Sequence, residues 1–204
     1  MSTIAVIPAR MASSRFPGKP MALIHGMPMI GHCYCRVRLC DALDDTYVAT
    51  CDREIFDYIK SVGGKAIMTA DTHERASDRA AEAMMLIEEY TNEKVDILVM
   101  VQGDEPMDTP QMITEALAPM MQDEMVQVVN LMGKIDSAKE FEDPNIVKVV
   151  VGPDGNAIYF SREPIPSRRK SSEDVPMFKQ ICVIPFRRDY LLEFNKAPET
   201  PLER

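Results

Sequence analysis

No stretch of the 204-residue chain holds the roughly 18 consecutive apolar residues that a bilayer-spanning helix needs. The start, Met1-Ser2-Thr3, has no basic segment before the first apolar run and no small-residue cleavage site, so no secretory leader is expected. Positive charge is scarce. Only 23 Lys and Arg stand against 32 Asp and Glu, a formal net charge of −9. That balance disfavours nucleic acid and anionic membrane as partners, unless a few cations gather at one site. The five cysteines (Cys33, Cys35, Cys40, Cys51 and Cys182) are odd in number and lack paired zinc-ligand spacing. They are expected as reduced, mostly buried thiols in the cytoplasm. Internal repeats and low-complexity segments are absent. So are G-x-x-x-x-G-K-S/T, G-x-G-x-x-G and G-x-S-x-G, which disfavours an ordinary P-loop, a dinucleotide site and a serine-hydrolase elbow.

What is present is an alternation of short apolar runs with helical segments. Thr3–Ile7, Thr46–Ala49, Lys65–Met68, Asp96–Val101 and Val126–Leu131 read as strands. Helices are expected from Pro28 to about Leu39, from an Asp52 cap to Ser61, from a Ser77 cap through Ile87, and from Pro110 onward. This order predicts an α/β fold with a mostly parallel sheet covered on both faces. The pattern then changes. Asn145–Val151 and Asn156–Phe160 flank Gly152-Pro153-Asp154-Gly155, a hairpin signal. A polar, proline-containing excursion follows over 162–176, then a last strand over Gln180–Phe186 and a short helix over Asp189–Phe194. One continuous domain is expected.

Two segments carry chemistry. Ile7-Pro8-Ala9-Arg10 and Ser13-Ser14-Arg15-Phe16-Pro17-Gly18-Lys19-Pro20 leave the carboxyl end of the first strand, the edge at which open α/β sheets bind ligands. Small residues let backbone N–H groups approach a phosphate, and Arg10, Arg15 and Lys19 supply mobile charge. Gln102-Gly103-Asp104-Glu105-Pro106 leaves the fourth strand at the same edge. Asp104 is a hard oxygen donor suited to Mg²⁺, which is held by one or two carboxylates plus substrate phosphates. By themselves these residues are also compatible with a solvated cationic loop and a turn-capping acid. His25 and His32 read as surface or packing residues, and His73 takes no assigned role.

Together the motifs resemble the CMP-KDO synthetase (3-deoxy-manno-octulosonate cytidylyltransferase) family. Further matches follow in order: Ser77-Asp78-Arg79, Asn145 with Val147-Lys148-Val149-Val150, Tyr159-Phe160-Ser161-Arg162 with Ile165-Pro166, and Thr200-Pro201-Leu202-Glu203. The resemblance implies a three-layer nucleotidyltransferase fold with a mixed, mostly parallel sheet and a hairpin and flap insertion. The nucleotide part would occupy about 1–131 and the sugar-binding part about 145–186. It implies transfer of CMP from CTP to an acidic 2-keto-3-deoxy sugar with release of pyrophosphate, for lipopolysaccharide or capsule precursors. Arg10, Arg15 and Lys19 would hold the triphosphate, with Ala9 and Ser14 beside it. Arg79 and Gln102 would lie near the cytosine, Asp104 would ligate Mg²⁺, and Arg162 would pair with the sugar carboxylate. On its own, Arg162 has a surface ion pair as its second reading, and Lys148 reads equally as structural. A homodimer is implied as well.

Two departures stand out. The family's His, Gly and Tyr of the last strand are replaced by Gln180, Cys182 and Ile184, which leaves the sugar open, although Gln180 can still donate to a hydroxyl. Family members also continue past the Thr-Pro-Leu-Glu stretch with a further metal-ligating aspartate. A CTP-binding protein without turnover, or a related nucleotidyltransferase using another base or sugar, therefore stands as the alternative.

Overall fold

The structure is a computed structural model and describes residues 1–12, 16–167, 175–198 and 200. Ser14, Arg15 and the Pro201-Leu202-Glu203 stretch lie outside the described residues. In chain order the elements are β1 (Thr3–Ala9), a 3-10 turn (Lys19–Met21), β2 (Leu23–Ile24), β3 (Met27–Pro28), α1 (Met29–Val37), β4 (Asp45–Thr50), α2 (Arg53–Ser61), β5 (Ala66–Met68), α3 (Ala76–Thr91), β6 (Ile97–Val101) and α4 (Pro110–Gln122). They continue with β7 (Met132–Lys134), α5 (Ala138–Glu142), β8 (Lys148–Val151), β9 (Ala157–Ser161), β10 (Phe178–Gln180), β11 (Val183–Arg187) and α6 (Arg188–Lys196). No helix among the described residues is long and apolar enough to cross a membrane.

The chain forms two compact units, Met1–Val129 with Cys182–Arg204, and Asn130–Ile181. The first holds a five-stranded sheet in the order β11-β6-β1-β4-β5. Its strands run parallel except β11, which is antiparallel to β6. Thr3 to Val6 pair with Ile97 to Met100, so β1 and β6 end at the same edge. Both strands are apolar on both faces because helices cover both sides. Ile4, Val6, Ala49, Leu98 and Met100 pack with Ala80, Met84 and Ile87 of α3 and Leu191 of α6. Alternation turns Ala5, Ile7 and Val48 to the opposite face, where α1 packs. Each fully buried branched side chain contributes about 1.5–3 kcal/mol relative to exposure.

Several local expectations are corrected. Asp52 precedes α2, but its carboxylate makes no cap bond there. It accepts instead from the Met11 N–H at 2.7 Å, a tertiary contact that outcompetes the local one. Ser77 is not a cap: α3 starts from Arg75, and Ser77 is buried in its first turn. Val126–Leu131 is not a strand. It follows β11 through one Val128–Phe186 bridge and two flanking backbone bonds, while the Arg187 guanidinium occupies the Val126 carbonyl. The expected last strand is two strands in different sheets, β10 and β11, because the chain passes from one unit to the other at Ile181 and Cys182.

The second unit holds a four-stranded antiparallel sheet in the order β7-β10-β8-β9. The β8–β9 hairpin turns at Gly152–Gly155, where Gly155 has φ of +80° and the Gly152 N–H donates to the Asn156 carbonyl at 2.8 Å. Lys148 is fully buried, and its ammonium donates to the carbonyls of Asp143, Ile146 and Arg162 at 2.6, 3.0 and 2.7 Å. The structural reading of Lys148 is the one the geometry supports.

Candidate active site

The phosphate-loop candidate is held at both described ends. Asp52 takes the Met11 N–H, and the Gly18 N–H donates to the Met11 carbonyl at 3.0 Å. Gly18 has φ of +76°, a left-handed conformation that suits glycine. That turn delivers Lys19 into the 3-10 segment, where Pro20 is buried. Across the sheet edge, β6 runs out into Gln102-Gly103-Asp104. A Cβ on Gly103 would meet the Pro8 carbonyl oxygen at 3.0 Å and Ile30 Cδ1 at 3.1 Å, so this loop lies against the end of β1 only because it has none. The two loops meet at an ion pair. Lys19 Nζ donates to Asp104 Oδ2 at 2.7 Å, with both side chains partly exposed.

Around this pair is a cavity of about 460 Å³. Its wall includes Ala9, Arg10, Lys19, His73, Arg75, Arg79, Gln102 and Asp104. Arg10 is exposed, and its Nη1 lies 3.5 Å from the His73 carbonyl oxygen, to which it donates. Arg79 is buried. Its Nη1 donates to the Thr69 hydroxyl and to the Ala70 carbonyl at 3.0 Å, while its Nη2 is buried without a partner. A buried guanidinium N–H left unpaired is costly, and a ligand carbonyl would satisfy it. Six candidates from the sequence therefore converge: Ala9, Arg10, Lys19, Arg79, Gln102 and Asp104. Arg15 and Ser14 lie outside the described residues.

Arg162 and Gln180 belong to the second unit. Arg162 is exposed, with Nη1 donating to the Pro144 and Asn145 carbonyls at 3.2 and 3.0 Å. Gln180 Nε2 donates to Asn130 Oδ1 at 2.7 Å, so that donor is already engaged within the unit. His32 is a packing residue, its Nε2 lying 2.8 Å from the Ile24 carbonyl.

Two features of the first unit had no signal in the sequence. His73 Nε2 hydrogen-bonds the Glu82 carboxylate, which also accepts from the Ala70 N–H at 2.9 Å. The pair braces the loop that carries His73 into the cavity wall, and a spacing of nine residues across a loop and helix start gives no periodic clue. Asp108 is buried, and its Oδ2 has no partner. Burial, reinforced by the negative charges of Glu105 and Asp104, pushes its carboxyl up to about 7. From the sequence, an aspartate ahead of Thr109-Pro110 reads only as polar helix-start chemistry. Beneath the same loop, burial first and then the nearby acids push the Cys33 thiol up to about 12, so it is a packing group rather than a nucleophile. None of the five cysteines is in a disulfide.

Two cationic side chains, Arg10 and Lys19, a carboxylate facing Lys19 and an unpaired buried donor share one cavity, an arrangement that can hold a nucleoside triphosphate. The cytidylyltransferase family model matches residues 4–204. A 3-deoxy-manno-octulosonate cytidylyltransferase from Geobacter metallireducens is 40% identical over 213 residues, covering 100% of this chain and 82% of the relative. The protein of the same name from Syntrophotalea carbinolica is 42% identical over 212 residues, again covering 100% and 82%. The solved structure of CMP:2-keto-3-deoxy-manno-octonic acid synthetase complexed with CTP superposes with a TM-score of 0.87 at 39% identity, covering 100% of this chain and 81% of the other. This chain belongs to the cytidylyltransferase family.

Proposed function

We propose that this chain transfers CMP from CTP to 3-deoxy-manno-octulosonate, releasing pyrophosphate. The observation that carries the reading is the cavity in which Lys19, Arg10 and Asp104 lie with the unpaired Arg79 Nη2. It is supported by the relatives' names and by the CTP complex of the similar synthetase. The anomeric hydroxyl of the sugar attacks the α-phosphorus and pyrophosphate departs. In this reading Arg10, Arg15 and Lys19 hold the triphosphate and offset the charge that grows on the leaving group, with Ala9 and Ser14 beside them. Arg79 and Gln102 read the edge of the cytosine. Arg162 pairs with the sugar carboxylate, a task suited to a planar guanidinium, and Gln180 donates to a sugar hydroxyl through the second hydrogen of Nε2, the first being held by Asn130.

Asp104 is the residue we assign to Mg²⁺. Its carboxylate already faces a cation, the Lys19 ammonium, at the cavity wall. Among the described residues no group of three or more His, Cys, Asp or Glu forms a cage, which suits an ion that takes most of its ligands from phosphates and water. When bound, the ion would supply charge neutralisation at phosphate oxygens.

Coupled detection of pyrophosphate with CTP, Mg²⁺ and the sugar acid tests the reading. Release requiring all three, and falling at least tenfold with UTP, GTP or dTTP, is the expected result. CTP binding without release would instead favour a nucleotide-binding protein, an alternative that draws no support from relatives aligned along this whole chain. We also propose a cytoplasmic homodimer, to which the exposed Ile158 and Tyr159 on the edge strand β9 offer apolar area. Light scattering should then give twice the mass of the chain, and a monomer at micromolar concentration would refute the dimer.

A further inference from the structure

Polar contacts at both ends of α6 fasten it to α3, the helix that carries Arg79. At one end the Arg188 guanidinium grips the Glu88 carboxylate through Nε and Nη2 at 2.7 and 2.8 Å, with both side chains largely out of water. At the other end Asn195 Nδ2 donates to the Ser77 carbonyl at 3.0 Å. Arg75 Nη2 completes that end by donating to the Asn195 carbonyl at 3.1 Å, while Arg75 also forks onto Asp78 at 3.0 and 3.2 Å. Arg75 and Arg79 both line the cavity.

The orientation of the Asn195 amide is dictated by its partner. A carbonyl only accepts, so Nδ2 must face Ser77. This leaves Asn195 Oδ1 buried with no partner, which lowers stability. Leucine has a similar shape and no polar atom. If Asn195 served stability alone, leucine would do as well or better. What leucine cannot supply is the bond that fixes the Ser77 carbonyl, two residues before Arg79, in the first turn of the helix.

We propose that Asn195 is a positioning residue for the nucleotide cavity: it pins the first turn of α3 so that Arg75 and Arg79 stand in the cavity wall before the nucleotide arrives. The inference rests on the reading of that cavity as the CTP site. Its effect is on affinity. A first turn that must be ordered by the ligand weakens binding by the cost of ordering it, while the chemical step, which happens at the phosphates, is left alone.

The test is the Kd for CTP by titration calorimetry, with KM, kcat and Tm, on the full chain. Asn195→Leu is expected to raise Kd and KM five- to tenfold, hold kcat within twofold, and leave Tm unchanged or higher. Asn195→Ala, which demands no extra room, carries the same expectation for Kd. Arg188→Met opens the other fastening, about 16 Å along the α3 axis from Ser77. It is expected to lower Tm and leave KM within twofold. An unchanged Kd in both Asn195 variants would overturn the proposal, as would an equal rise in Arg188→Met, which would point to general loosening of α3. A wild-type chain that binds no CTP would overturn the functional reading instead.

Discussion

Lys19→Ala should cut kcat by about 10²–10³ while leaving Tm within about two degrees. The two halves of this expectation have different origins. Lys19 and Asp104 are both partly exposed, so their pair at 2.7 Å is solvated and screened. Pairs of this kind contribute about 0–1 kcal/mol to stability. In the proposed CMP transfer the same ammonium would meet the charge gathering on pyrophosphate, inside a cavity that a bound substrate would clear of water. A preorganised donor in that setting lowers the barrier by about 3–4 kcal/mol. Lys19→Arg keeps the charge but spreads it over a larger planar group, and should fall between the two. Steady-state rates and thermal melts on the three proteins decide the matter. Parallel losses of rate and Tm would make Lys19 a scaffold residue. An unchanged rate would remove it from the triphosphate.

Asp108 has the opposite profile, with a large effect on stability that only pH reveals. Its carboxyl is pushed from 3.8 to about 7, chiefly by burial, then by Glu105 and Asp104. Below pH 3.8 folded and unfolded chains both keep the proton. Between there and about 7 the unfolded chain loses it and the folded chain does not, so the folded state binds more protons and stability falls as pH rises. The full penalty, about 4 kcal/mol, is in force above that window. Asp108→Asn is nearly isosteric and cannot ionise. Urea unfolding should show the variant gaining on the wild type with pH, the difference being about 2 kcal/mol larger at pH 8 than at pH 5.5. The same difference at both pH values would mean that Asp108 ionises as readily in the folded chain as in the unfolded one.

Much of the first unit was legible because its signals are local. Ile4–Ile7 and Ile97–Val101 are unbroken apolar runs, and a strand buried on both faces has no other way to read. Asp154-Gly155 marked the hairpin for a similar reason, since its turn needs a positive φ. Five of the six residues that converge on the cavity sit at the ends of β1 and β6 or in the loops that follow, and parallel strands must end at one edge, so the two polar segments become neighbours; Arg79, on α3, was implied only by the family resemblance. What stayed hidden depends on partners far away in the chain. Asp52 abandons its helix for the Met11 N–H, and Ser77 yields the cap to Arg75. The run from Gln180 to Phe186 looks like one strand, yet the chain changes sheets inside it. Asp108 is hidden in another way, since nothing in its neighbours announces that a carboxyl so close to a helix start is shut away from water.

The order of the five-stranded sheet has a bearing on how the protein is made. β6 is wholly buried, and one of its edges is covered by β11, which comes 82 residues later by the numbering of Val101 and Val183. A nascent chain emerging from the ribosome will have β1, β4, β5 and β6 in hand, and will then build the whole of 130–181 before that edge is closed. Through that interval the most apolar strand of the protein offers an open ladder to any neighbour. Synthesis that pauses ahead of residue 183 therefore creates the species most prone to associate, and codon choice across 130–181 should affect soluble yield more than codon choice across the nucleotide loops.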